Sequence, residues 1–136
     1  MDKVIFACVH SAGRSQMAAA FFNGLVPPDQ ARAVSAGTEP AERVHPEVVD
    51  VMREVGYDLS AARPSLLTPE MAASATLLVT MGCGEACPYV PGLRREDWAL
   101  DDPKGRDRTE VRRIRDAVRG RVERLVAERG WSRPGP

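Results

Sequence analysis

The chain has 136 residues, enough for one domain (1–136) with a sizeable core. Its 19 basic and 19 acidic side chains cancel, which excludes a general attraction to nucleic acid or to an anionic membrane. There is no apolar run of membrane-spanning length and no charged-then-apolar N-terminal pattern, so a cytoplasmic protein is expected, with Cys8, Cys83 and Cys87 reduced at rest and no static disulfide framework.

Lys3 to Ala7 is an apolar, β-branched run of strand length. Gln16 to Leu25 carries Met17, Phe21 and Leu25 four apart, with Ala18 and Phe22 beside them, which is helical spacing. After Pro27-Pro28, Ala31 to Ala36 reads as a second strand, followed by a loop at Gly37-Thr38. Pro46 suits the first position of a helix whose apolar face is Val48, Val51, Met52 and Val55, with Gly56 as its stop. Asp58 to Ser65 is polar and interrupted by Pro64, hence loop. Thr68-Pro69-Glu70 supplies an N-cap, an N1 proline and a first-turn acid for a short helix to about Ala73.

Thr76 to Met81 is a continuous apolar run suited to a strand buried on both faces. Gly82 to Pro88 has little helical preference and is expected to be mobile in the reduced state, re-forming when Cys83 and Cys87 are oxidised. Trp98-Ala99-Leu100 is taken as the core of a fourth strand, ahead of the loop Asp101-Asp102-Pro103. Asp107 and Glu110 open the last helix, with Val111, Ile114, Val118, Val122 and Leu125 as its stripe and Gly130 as its end. Its eight arginines are interleaved with acids and read as a solvated face. Trp131 to Pro136 should fray. This alternation predicts an α/β fold: a four-stranded parallel sheet with helices on both faces, in flavodoxin-like winding.

The turn from first strand to first helix, Cys8-Val9-His10-Ser11-Ala12-Gly13-Arg14-Ser15, has the spacing Cys-x5-Arg-Ser. A loop wrapped at a helix N-terminus aims backbone N–H groups inward, and the helix dipole favours negative charge there. The planar fork of Arg14 fits two oxygens of a tetrahedral oxyanion, and the same positive field favours the thiolate of Cys8. The competing reading is a buried cysteine ending a strand with a surface arginine beyond it. The position between strand and helix favours function, because ligands of parallel sheets bind at the carboxyl ends of strands. Cys8, Cys83 and Asp102 fall at the expected ends of the first, third and fourth strands.

Those three places, with Ser35-Ala36-Gly37 and Thr80-Met81-Gly82-Cys83-Gly84, make the chain resemble the thioredoxin-coupled arsenate reductases of the low-molecular-weight protein tyrosine phosphatase fold. The resemblance covers nearly the whole chain. It implies arsenate as substrate and no metal or organic cofactor. The oxyanion would be bound by the loop Val9, His10, Ser11, Ala12, Gly13, Arg14 and Ser15. It further implies Cys8 as nucleophile, Arg14 as oxyanion ligand, Asp102 as general acid, and a disulfide relay from Cys8 through Cys83 to Cys87. The final reductant would be thioredoxin or a low-molecular-weight thiol such as mycothiol.

Departures are visible. Ser11 stands where the family usually has an asparagine that holds the loop, and the cysteine pair has the closer spacing Cys-x3-Cys. A potassium site found in some members would fall on Ser11, Ala19, Ser35 and Ser65, and is expected to be absent. Asp101 is the alternative acid, Ser15 is expected to cap the first helix and to bond Cys8, and His10 is read as a loop residue. Zinc on the cysteines is disfavoured because neither His10 nor His45 completes a ligand motif. Two rivals remain: a phosphomonoester hydrolase on the same fold, with Lys104 where its tyrosine wall would stand, and an oxyanion- or redox-responsive binding module without turnover.

Overall fold

The computed structural model describes residues 2–82 and 92–131. In these residues the chain runs β1 (Asp2–Cys8), α1 (Arg14–Leu25), β2 (Ala31–Gly37), α2 (Pro46–Arg53), α3 (Pro69–Ala73), β3 (Leu77–Thr80), β4 (Arg94–Asp97) and α4 (Arg108–Arg129). All pairings are parallel, in the order β2-β1-β3-β4. The winding reverses between β1 and β3, so the ends of these two strands open the crevice in which such sheets bind ligands.

β1 occupies the centre because it is apolar on both faces. Val4, Phe6 and Cys8 face a core completed by Met17, Phe21 and Phe22 of α1, Val48 and Met52 of α2, and the Val111-Ile114-Val118-Val122-Leu125 stripe of α4. Ile5 and Ala7 face the other side, where Leu67, Leu78 and Ala36 pack with Met71 of α3. Helices therefore cover both faces, three on one and the short α3 on the other.

Three expectations are corrected. The fourth strand is the charged run Arg94–Asp97, not Trp98 to Leu100. An edge strand is paired on one side only and tolerates charge on both faces, so hydrophobicity does not mark it. Trp98 follows the strand: its N–H donates to the Thr80 carbonyl at 2.8 Å, and its buried ring lies 5.7 Å from that of Phe6. Trp131 does not fray. Gly130 adopts φ +70° at the end of α4, and Trp131 turns back to stack edge-on against Phe22 and donates from Nε1 to Asp2 Oδ2 at 3.1 Å.

The arginines of α4 are not all solvated either. Arg115 is buried and donates from Nη1 to the Val51 carbonyl and to Glu54 Oε1, each at 2.9 Å. Arg112 adds contacts from Nε and Nη2 to the same carboxylate, so Glu54 just beyond α2 pins α2 to α4. These bonds, chiefly those of Arg112, hold the Glu54 carboxyl down at about 2, against a smaller opposing effect of burial.

A carboxyl that is harder to protonate in the folded state contributes stability above its unfolded value and loses it as pH falls. Glu54→Gln is therefore expected to lower the melting temperature above about pH 4.5, with the difference from the parent fading as the pH drops toward 2. Melts across that range check this, and added salt should shrink the difference because the group is exposed.

Candidate active site

The turn between β1 and α1 is shaped by where its carbonyls go. The Cys8, Val9 and His10 carbonyls accept from the N–H groups of Thr38 (3.4 Å), Glu39 (2.8 Å) and Ala41 (2.9 Å). The Ala12 carbonyl accepts from the His45 N–H at 2.9 Å, and that of Ser11 from Gln16 Nε2 at 2.9 Å. A trans peptide carries its C=O and the following N–H on opposite sides. Drawing the carbonyls out toward the 38–45 segment therefore turns the N–H groups of Val9, His10, Ser11 and Gly13 toward the other side.

Ser11 holds this turn in the left-handed region at φ +52°. Its hydroxyl lies 2.8 Å from Ser35 Oγ and accepts from the Ser65 N–H at 3.2 Å. Ser35 Oγ is 2.6 Å from Ser15 Oγ, which is 2.9 Å from Cys8 Sγ. The Ser65 amide can only donate. One assignment then satisfies the whole chain with one proton per hydroxyl: Ser65 N–H to Ser11, Ser11 to Ser35, Ser35 to Ser15, and Ser15 to Cys8. In this assignment Cys8 is the acceptor, the role a thiolate takes.

The chain links the turn to the neighbouring strand through Ser35. Ser35 and Ser65 also line, with Ala19, Gln16 and Arg63, a cavity of about 300 Å³ behind the turn. Ser15 does not cap α1; the cap is Gly13, without a side-chain hydrogen bond. The hydroxyl of Ser15 serves Cys8 and Ser35 instead, because the helix already starts at Arg14.

Cys8 and Arg14 are both buried, 2% and 7% exposed, so Arg14 is no surface arginine. Its Nη1 donates to the Leu100 carbonyl at 3.1 Å, and its Nη2 lies 3.7 Å from Asp102 Oδ2. Asp102 is fixed in turn: Oδ1 accepts from the Lys104 N–H at 3.0 Å, and Pro103 rests on Gly13, where an added Cβ would come within 2.8 Å of Pro103 Cγ. Asp101 points elsewhere, pairing with Arg113 Nη2 at 2.7 Å, and that bond holds its carboxyl below the ordinary aspartate value. The geometry thus gives the two adjacent aspartates different partners, with Asp102, the one the sequence favoured, beside Arg14.

His10 donates from Nδ1 to the Glu39 carbonyl at 3.0 Å. His45 lies against Gly13 with its pKa lowered, burial outweighing the attraction of Asp102 and Glu47. Among the described residues no cluster of three or more metal-ligating side chains occurs. Cys83 and Cys87, and the expected mobility of Gly82–Pro88 beyond Gly82, lie outside the described residues. Sequence reading gave no role to the Leu100 carbonyl or to the Ser65 amide, because a backbone group has no signature of its own.

The arrangement of β1, turn, α1 and distant aspartate has known relatives. The family model described as low molecular weight phosphotyrosine protein phosphatase matches residues 3–130. The chain belongs to that family. A putative arsenate reductase of Halobacterium salinarum is 40% identical over 127 residues, covering 90% of this chain and 89% of its own length. Among solved structures, a thioredoxin-dependent arsenate reductase of Corynebacterium glutamicum superposes with a TM-score of 0.82 at 35% identity, over 94% of this chain and 61% of that one. This chain therefore spans less than two thirds of the Corynebacterium protein. A structure described as an arsenate reductase in the oxidised state gives 0.81 at 35% identity, over 94% and 98% of the two chains.

Removing the hydroxyl of Ser11 orphans the Ser65 amide and breaks the chain to Cys8. Ser11→Ala is expected to cost about 0.5–1.5 kcal/mol of unfolding free energy, the usual net worth of one hydrogen bond, and to slow alkylation of Cys8 by iodoacetamide. Chemical denaturation and peptide-resolved mass spectrometry measure the two effects.

Proposed function

We propose that the protein is an arsenate reductase using Cys8, Arg14 and Asp102 for the first step and Cys83 and Cys87 for electron transfer. The observation that carries the reading is the buried Cys8 at the start of an inward-turned amide loop, with Arg14 and Asp102 beside each other at its mouth. The similarity to arsenate reductases over most of the chain supports it. So does the cysteine pair, which a phosphatase would leave idle.

Arsenate has the tetrahedral oxygens of phosphate, so the loop amides and Arg14 bind it. The Cys8 thiolate attacks arsenic, and Asp102 gives its proton to the departing oxygen, which leaves as water. The result is a thiol–arsenate adduct, with the oxyanion charge held by the loop. Cys83 then attacks the Cys8 sulfur. An S–S bond forms, the S–As bond breaks, and its electron pair reduces arsenic(V) to arsenite. Cys87 attacks Cys83 next, freeing Cys8 as thiolate and leaving a Cys83–Cys87 disulfide for an external dithiol.

Thioredoxin is the reductant we favour, because two resolving cysteines produce the intramolecular disulfide a dithiol protein reduces. Mycothiol or another low-molecular-weight thiol is the alternative. A relay whose cysteines must be reduced between turnovers fits the cytoplasm, which is the location we favour. Among the described residues no helix is long and apolar enough to cross a membrane.

An NADPH-coupled assay with arsenate, run with and without thioredoxin and its reductase, tests the reading. Thioredoxin-dependent oxidation of NADPH is expected, and it should be absent in Cys8→Ser. After one arsenate exposure, Cys87→Ser should hold a Cys8–Cys83 disulfide visible in peptide maps. Hydrolysis of aryl phosphates without arsenate reduction would favour the phosphatase instead.

The choice of acid is tested separately. Asp102→Asn should slow adduct formation roughly 10²–10⁴-fold, the usual worth of general-acid assistance. Asp101→Asn should leave it nearly unchanged, because Asp101 is committed to Arg113; single-turnover measurements distinguish the two.

A further inference from the structure

The position of Arg14 depends on a residue that touches no substrate. Met81 follows β3 and is fully buried; its N–H donates to the Ala7 carbonyl at 2.7 Å, which fixes the backbone one peptide before Gly82. Gly82 then turns with φ +91° and lies flat against the Arg14 guanidinium. A Cβ built on Gly82 would run into Arg14 Nη1, with Cζ at 3.2 Å and Nη2 at 3.4 Å. Its chain neighbours aside, the three nearest atoms among the described residues all belong to Arg14. The guanidinium therefore occupies a slot with Gly82 on one side, the Leu100 carbonyl 3.1 Å from Nη1, and Asp102 Oδ2 3.7 Å from Nη2.

We propose that Gly82 is a positioning residue that seats Arg14, and that oxyanion affinity depends on its lack of a side chain. The inference rests on reading Arg14 as an oxyanion ligand, not on which reaction follows. A Cβ at this point displaces the far end of a flexible side chain rather than backbone, so the fold survives while the fork leaves its place. A bidentate contact tolerates little displacement, because both N–H groups must meet their oxygens together.

The experiment measures protection of Cys8 against iodoacetamide by inorganic phosphate, resolved by peptide mapping, which needs no turnover. Gly82→Ala is expected to weaken protection roughly 10- to 100-fold, the worth of one charge-assisted hydrogen bond. Gly92→Ala is the strain control: Gly92 has φ +82°, but among the described residues a Cβ there meets nothing within 4 Å. It should leave protection unchanged. In an Arg14→Ala background, Gly82→Ala should add no further loss, the signature of coupling between the two positions.

If Gly82→Ala proves unfolded in a circular-dichroism melt, Gly82→Asn supplies the same Cβ on a residue that visits positive φ more readily. Unchanged protection in the folded variant, an equal loss in Gly92→Ala, or a full additional loss in the Arg14→Ala background would each overturn the proposal. A parent protein that phosphate fails to protect overturns it as well, along with the oxyanion reading. Protection by phosphate with no arsenate turnover overturns the proposed reaction and leaves the role of Gly82 standing.

Discussion

The geometry of the trans peptide governs this molecule. Because C=O and the following N–H point in opposite directions, a loop offers several amides to an anion only if its carbonyls find partners behind it. Here the 38–45 segment provides them, running from the end of β2 to the start of α2 as a strip of N–H donors. Remove that strip and the turn would satisfy its carbonyls by rearranging, and its amides would no longer converge. The parallel sheet matters because its order, β2-β1-β3-β4, sets the strip on one side of β1 and the Arg14 slot on the other.

The second requirement is charge management in a buried site. Arg14 is almost out of solvent, and a buried cation without partners is costly. The Leu100 carbonyl and the Asp102 carboxylate meet it from the segment after β4. At 3.7 Å the pair is longer than a tight ion pair, and both groups keep a second backbone partner, the Leu100 carbonyl for Arg14 and the Lys104 N–H for Asp102. That segment is held by Pro103 on Gly13 and by the pairing of Asp101 with Arg113. The neighbouring aspartates thus divide the work: one anchors the loop to α4 and the other faces the site.

The serine chain behind Cys8 ties three segments to one sulfur. A serine hydroxyl has one donor proton and two acceptor lone pairs. Ser11 in the turn reaches Cys8 through Ser35 of β2 and Ser15 of α1, with the Ser65 amide at the far end. The cost is side-chain freedom at three positions. The gain is a chain in which each bond polarises the next toward the sulfur.

Sequence alone determined the features that depend on local periodicity and on residue chemistry. The apolar runs of β1 and β3, the stripe of α4 with its Asp107 cap, and the Cys-x5-Arg turn were legible because burial on both faces, helical spacing and phosphate-type ligation each demand particular residues at fixed intervals. Tertiary structure decided what lies between segments distant in the chain. The edge strand Arg94–Asp97 was illegible because pairing with β3, rather than hydrophobic content, makes it a strand. Arg115 looked like its exposed neighbours until α2 covered it, and Trp131 looked like a tail residue until Asp2 and Phe22 met it. The order Asp-Pro already favoured Asp102 over Asp101, and what the fold adds is their separate partners, Arg14 and Arg113, because side chains adjacent in sequence diverge in space according to the groups set beside them.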